Sequence, residues 1–293
     1  MDTKPIMKLR IIRITTQIIF FILFFYLMFK MVNPVKSPVP INLYTRIDSL
    51  LGLAAIIAGR AFYSGWLLII PLFAITLLVV RVFCGWICPM GTTLDLSDKI
   101  FFRKRKRNRS FQMRQTKYYI LISLLITALF TMQAVYLLDP FSILTRSSIV
   151  CFFAPLQMSL KWVLNQSYVL AGNPHPILQS VGIWVSDHLG QWTFVTSPQI
   201  YMRQSMVFAA FFIIIIGLNS ISSRFWCRNL CPLGALLGLI GRVPIVRRIV
   251  GDGCNDCGKC IANCKTNAIS YNPLRTRLSE CILCLDCADD CPK

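Results

Sequence analysis

Through most of this chain apolar residues run for a helix length at a time between short charged segments, and beyond Gly251 polar residues and cysteines take over. Four apolar runs, Ile14 to Met31, Phe62 to Val82, Tyr118 to Leu138 and Met206 to Trp226, each approach the roughly 20 residues that cross a bilayer core and predict spanning helices. Leu50 to Gly59 is too short to span and predicts a cap on the outer face. Ile149 to Leu164, interrupted by Pro155 and Lys161, and Ile177 to Val195, interrupted by Asp187 and His188, predict re-entrant or interfacial helices on the periplasmic side. Arg242 to Asp252, with Pro244 and Gly251, reads as a joint. The first run is long and lacks a small-residue cleavage site, so it predicts a retained helix rather than a signal peptide.

Composition agrees with a membrane protein: 55% of the 293 residues are hydrophobic. The net charge of +19 is unevenly distributed. Lys4, Lys8, Arg10 and Arg13 precede the first run. Arg103, Lys104, Arg105, Lys106, Arg107, Arg109 and Arg114 crowd one connection, whereas Asp139 to Arg203 holds only Arg146, Lys161 and Arg203. Positive residues on alternate sides orient such a bundle, and predict a multi-pass protein of the bacterial inner membrane with both termini cytoplasmic. The basic connection carries no interleaved aromatics and no nucleic-acid motif, so it reads as a topogenic loop facing membrane lipid, and no nucleic-acid partner is expected.

Eight of the 13 cysteines fall at the end of the chain. Cys254, Cys257, Cys260 and Cys264, then Cys281, Cys284, Cys287 and Cys291, repeat the spacing Cys-x-x-Cys-x-x-Cys-x-x-x-Cys. This spacing offers thiolates to two [4Fe-4S] clusters, the fourth cysteine of each run crossing to the other cluster. One cluster would take Cys254, Cys257, Cys260 and Cys291, the other Cys281, Cys284, Cys287 and Cys264. Zinc sites leave the regular triplets unexplained, and disulfides suit small secreted domains rather than a reducing cytosol.

A second cysteine pattern lies upstream. Arg81-Val-Phe-Cys84-Gly-Trp-Ile-Cys88-Pro89-Met-Gly91 matches Arg224-Phe-Trp-Cys227-Arg-Asn-Leu-Cys231-Pro232-Leu-Gly234, each copy following an apolar run, so the chain contains two related modules. Cysteines four apart share a helix face, and the proline after them ends a helix or starts a new one. Such pairs can ligate a soft metal, cycle as dithiol and disulfide, or pack as small hydrophobes; duplication with the same Pro and Gly favours redox or metal chemistry at Cys84, Cys88, Cys227 and Cys231. Whether the four form one site stays open in the sequence. Cys151 stands alone and reads as packing. His175 and His188 lie in the outer connection, a poor position for haem axial ligands, and no Gly-x-Gly-x-x-Gly or Walker motif is present.

With these doubled Cys-x-x-x-Cys-Pro motifs and the terminal cysteine runs, the chain resembles the NapH-type polyferredoxins, a group that extends to the membrane part of NosR and to the copper-handling CcoG proteins. The terminal stretch resembles two-cluster bacterial ferredoxins, including Ala268, Ile269 and Pro292, and departs from them at Lys265, where proline is usual. The resemblance implies a mainly α, polytopic bundle of about four spans over residues 1–250, followed by an α+β two-cluster ferredoxin-like domain over 251–293. It also implies a quinol dehydrogenase component that relays electrons between the quinone pool and a partner redox protein, with the four motif cysteines serving electron transfer or a further metal. The short segment before Ile14 sets the chain apart from NosR-like proteins, and its end at Lys293 sets it apart from CcoG-like ones, which continue into a further domain, while leaving open that a longer natural protein has been cut. A copper-reducing role and a regulatory subunit without turnover are the alternative readings. Asp252, Asp256, Glu280, Asp286, Asp289 and Asp290 suggest either an acidic docking face or a solvated surface.

Overall fold

The computed structural model describes residues 4–32, 40, 43–60, 67–101, 113–132, 134–172, 174–191, 205–251, 253–269, 271–289 and 291. The basic run Arg103 to Arg109, the reading of Arg203, Asp252 and Asp290, the start of the second expected span and the end of the second outer segment lie outside them. The structure is 73% helical, with no strand among the described residues. The chain divides into two compact units: Met1–Tyr26, Asn42–Ile143 and Ile214–Lys293 form one, Leu27–Ile41 and Leu144–Ile213 the other.

Two expectations about the fold are overturned. Only two described helices are long and apolar enough to cross a membrane, Leu9–Lys30 with mean hydropathy 2.1 and Pro140–Ala171 with 1.3. Of the four expected spans, only the first corresponds to one of them. The other three shorten to Ile69–Val79, Thr116–Leu129 and Ser205–Leu218, of 11, 14 and 14 residues. At 1.5 Å per residue these reach about 16 to 21 Å, short of a core of about 30 Å. The first two are followed by left-handed φ at Val80 and at Thr131, and the third gives way to turns over Asn219 to Ile221 before Arg224, at φ 49°, starts the next helix. The second correction concerns the cysteine-rich end, whose described residues include no strand and so show no α+β character. Arg277 N–H donates to the Ala268 carbonyl at 2.9 Å, but this hairpin contact does not propagate into a ladder.

In the first unit an aromatic chain, Phe24 to Tyr44 to Phe141 to Phe83, joins the long first helix to the first cysteine motif, with centroids 5.3, 5.7 and 5.9 Å apart. Asp48 caps the helix Ser49–Gly59 by accepting from the N–H groups of Leu50 and Leu51, and the first turn of that helix is buried rather than spread over an outer face. The joint after Gly241 returns to the Ile69–Val79 helix, where Leu78 carbonyl accepts from Ile245 and Val246 N–H.

In the second unit, Ile149 to Leu164 is not an isolated re-entrant piece. It is part of one continuous helical run in which a π turn, Ile149–Phe153, directly precedes Ala154–Ala171. Pro155 lacks the N–H that an uninterrupted α-helix would use, and the widened turn absorbs that defect without a break. Pro176–Gly190 packs back on Ala154–Ala171, and Gly182 allows the approach: a Cβ there would lie 2.4 Å from Ala171 N. His188 stacks on Trp184 one turn earlier, a local contact on an exposed helix face.

Candidate cysteine and metal centre

The four motif cysteines, 139 or more residues apart between modules by their numbering, come to one place. Cys84, Cys88, Cys227 and Cys231 line a single small cavity with Arg81, Arg224 and Ile282, whose free space of about 20 Å³ is room for one water-sized or ion-sized occupant. In each module a short helix carrying the first cysteine, Val82–Trp86 or Phe225–Asn229, stops, and the proline opens the next helix, Pro89–Phe101 or Pro232–Ile240. The second thiol therefore sits at a helix N-terminus; Gly234 N–H donates to Cys231 Sγ at 3.3 Å.

The repeat also explains its arginines and glycines. Arg81 of the first module donates to the Gly234 carbonyl of the second at 2.7 Å, and Arg224 of the second donates to the Cys84 carbonyl of the first at 3.0 Å. A Cβ on Gly91 would lie 2.8 Å from the Cys84 carbonyl oxygen and 3.5 Å from Arg224; one on Gly234 would lie 3.3 Å from the Cys227 carbonyl oxygen and 3.4 Å from Arg81. The modules thus clasp each other reciprocally, each arginine reaching across to the other's motif. Both arginines are buried, at 2% and 0% exposure, so each needs a counter-charge. Asp95 supplies one through two 2.8 Å bonds to Arg224, and Glu280 supplies the other at 2.7 Å from Arg81 while also accepting from Lys117 at 2.5 Å.

Burial pushes all four motif thiols up in pKa, Cys227 to about 11, although Arg81 and Arg224 pull Cys84 and Cys227 the other way. Burial thus favours the neutral thiol, and a bound cation would have to displace its proton. Among the described residues no three Cys, His, Asp or Glu side chains are already set at metal-binding distances.

The terminal runs are built alike. In the first, Asp256 and Gly258 flank Cys257 with φ of 52° and 70°; in the second, Leu283 and Leu285 flank Cys284 with φ of 49° and 64°. Left-handed residues at the same two positions turn successive N–H groups inward, the concavity that suits anions and iron–sulfur clusters. Leucine adopts this backbone at a cost, so its presence in the second run is a local strain met by the surrounding packing. Cys264 accepts from Ala268 N–H at 3.2 Å and lies within electrostatic reach of Cys281 and Cys287, near which Cys260 also falls. Cys254, Cys257 and Cys291 are exposed. Burial raises Cys284 to about 12 and Cys287 to about 11. Donor type, spacing and loop conformation fit a pair of cubanes.

The second run is docked directly on the motif modules. Gly85, next to Cys84, admits the Ile282 backbone so closely that a Cβ would lie 2.3 Å from its carbonyl oxygen, and Trp86 Nε1 donates to Leu283 carbonyl at 3.1 Å. Asp286 and Asp289, considered above as an outward docking face, turn inward to this chain's own cations: Asp289 to Arg10, and Asp286 to Arg13 at 3.3 Å and Lys265 at 3.4 Å.

A model of a 4Fe-4S binding domain matches residues 62–110 and 204–251, one match over each motif module. Each matched copy holds two cysteines, so one set of four thiolates needs both. Several curated ferredoxin-type proteins align over most of the chain. NapH of Escherichia coli K12 is 20% identical over 221 residues, 72% of this chain and 59% of the relative. The ferredoxin-type methylamine utilization protein MauN of Methylorubrum extorquens is 26% identical over 226 residues, 74% of this chain and 59% of the relative. The chain is thus similar to NapH-type membrane ferredoxin-like proteins. YccM of Escherichia coli K12, assigned by its name to electron transport, is 27% identical over 239 residues, 78% of this chain and 54% of the relative. The chain spans about half the length of the curated relatives it matches. No solved structure matches it.

Sequence reasoning singled out all twelve of these cysteines but gave no role to Arg81, Arg224, Asp95 or Lys117, and read Glu280 only as part of an acidic docking face or solvated surface. The arginines were within reach, since both copies of the repeat begin with one; their crossed partners appear only in three dimensions. Cys151 sits in the other unit, in the π turn.

Proposed function

We propose that the protein relays electrons between the quinone pool and a partner oxidoreductase, with two [4Fe-4S] clusters in the terminal cysteine runs and the four motif thiols as one station beside them. When bound, each cubane supplies a one-electron couple, so a pair suits a two-electron quinol. The observation that carries the reading is the backbone contact of Gly85 with Ile282, which sets the motif cavity against the second cysteine run with no intervening layer. Arg81 and Glu280 tie the same two parts together through buried charge. Proteins that hold redox groups for electron transfer need such fixed proximity, and buried bidentate and paired contacts provide it. The contact of Arg10 with Asp289 supports putting the start of the first helix and the cysteine-rich end on the same side, which we take as cytoplasmic from the basic flank of that helix.

The ion-sized cavity among four soft thiols also favours a second reading, in which the motif site binds and reduces a copper ion with electrons from the clusters. Anaerobically purified protein should carry about eight iron and eight sulfide in the terminal runs, two cubanes' worth, and quinol should reduce them. Cys84→Ala and Cys231→Ala should leave those clusters in place but stop their reduction by quinol, or abolish copper binding if the second reading holds. Full quinol-driven reduction and unchanged metal content in both variants would remove the motif site from the function.

A further inference from the structure

Apart from the motif cavity, a cavity of about 1230 Å³ opens where the first spanning helix begins. One wall is apolar and belongs to the span or its neighbour: Ile14, Ile18 and Leu96, of which Ile18 and Leu96 are about half exposed. The other wall is basic, with Arg10, Arg13 and Lys265. Three carboxylates also line it, and each is already engaged: Asp95 by Arg224 and Lys265, Asp98 by Asn219 and Ser223, Asp286 by Arg13 and Lys265. Arg13 is the decisive group. It is 3% exposed, uses Nη2 on Asp286, and leaves Nε and Nη1 with no hydrogen-bond partner. Buried guanidinium N–H groups without acceptors are costly, and their fork matches two oxygens of a phosphate.

We propose that this cavity holds the headgroup of an anionic membrane phospholipid, its phosphate on the free N–H groups of Arg13 and its first methylenes along Ile14 and Ile18. The chemistry that recognises the ligand is a phosphate with no headgroup cation to offset it, since the basic wall of Arg10, Arg13 and Lys265 disfavours one; the apolar wall, continuous with the span, selects a lipid over a soluble phosphate. Basic pockets at the cytoplasmic ends of membrane helices take anionic lipids for the same reason. Because Arg13 also holds Asp286 beside Cys287, the bound headgroup would complete the seat on which the cysteine-rich end rests. This proposal rests on the membrane reading and not on quinol chemistry.

The test is lipid retention by native mass spectrometry on the full protein in detergent, after exposure to phosphatidylglycerol or phosphatidylcholine. Phosphatidylglycerol should be retained over phosphatidylcholine by about tenfold, the scale of one charge-assisted hydrogen bond. Arg13→Gln should erase the preference. Since that change also loosens Asp286, Ile18→Trp serves as a second variant that fills the apolar wall without touching an ion pair; it should lower retention by a similar factor with iron content unchanged. Equal retention of the two lipids, or undiminished phosphatidylglycerol in Ile18→Trp, would overturn the proposal. Displacement of the lipid by millimolar inorganic phosphate would overturn it in favour of a soluble phosphate ligand, and displacement by a short-chain quinone in favour of a quinone site.

Discussion

Replacing Glu280 by Gln removes one negative charge from a site where two buried cations depend on it. Arg81 at 2% exposure and Lys117 at 0% approach its two oxygens at 2.7 and 2.5 Å, and Glu280 itself is 3% exposed. Glutamine keeps the shape and one acceptor but leaves both cations without a counter-ion. Breaking a buried pair by removing one partner costs about 3–5 kcal/mol, because the remaining charge stays desolvated. Two cations share this carboxylate, so the loss should fall in that range or above it. Thermal unfolding of detergent-solubilised protein, followed by a thiol-reactive fluorophore, reads it directly. Lys117→Met in the Glu280→Gln background should recover part of the loss, since it removes one of the stranded charges, and the cycle gives the coupling. The same pair fixes a pH response. Burial alone would raise the pKa of Glu280, but Arg81 and Lys117 outweigh it and the net shift is downward. A carboxylate with a lowered folded pKa contributes stability above its unfolded value of about 4.3, and that contribution disappears as pH falls through the folded value. A loss below about 1 kcal/mol in Glu280→Gln, the range of a solvent-screened surface pair, would refute the idea that this carboxylate holds the modules and the cysteine-rich end together.

Two further predictions concern other parts of the first unit. Asp48 and Asp139 are both fully buried, and the pKa of Asp48 is raised well above its usual value by burial first and then by the charge of Asp139. An acid with a raised folded pKa is most stabilising below its unfolded value of about 3.9 and loses that contribution as pH rises towards the folded value; the melting temperature should therefore fall between pH 5 and pH 8 by more in wild type than in Asp48→Asn, and parallel profiles would exclude a shared proton at this pair. Gly85→Ala sets a methyl group 2.3 Å from the Ile282 carbonyl oxygen, whereas a Cβ at Gly59 meets nothing within 4 Å. The first should detach the second cysteine run and reduce iron content, while Gly59→Ala should retain iron and change stability by no more than about 1 kcal/mol; full iron loading of Gly85→Ala would show that the run does not need that backbone contact.

Spacing along the chain is a covalent property, so the sequence by itself determined the two cysteine runs, the duplicated Arg…Cys-x-x-x-Cys-Pro-x-Gly module and the predominance of apolar helices. It did not determine how long those helices are. Val80 and Thr131 follow two of them in left-handed backbone that their residue types do not announce, and Pro155 fails to end one because a π turn accommodates it. Nor could local pattern join Arg81 to Gly234 or Arg224 to Cys84, contacts across 153 and 140 residues that exist only because two modules pack face to face. The acidic residues of the cysteine-rich end illustrate the same division. Glu280, Asp286 and Asp289 look like surface charge in sequence, yet tertiary packing brings buried or half-buried cations to each of them. Residue chemistry fixed which groups could act; the burial of charge, which penalises any cation left unpaired, decided which of them meet.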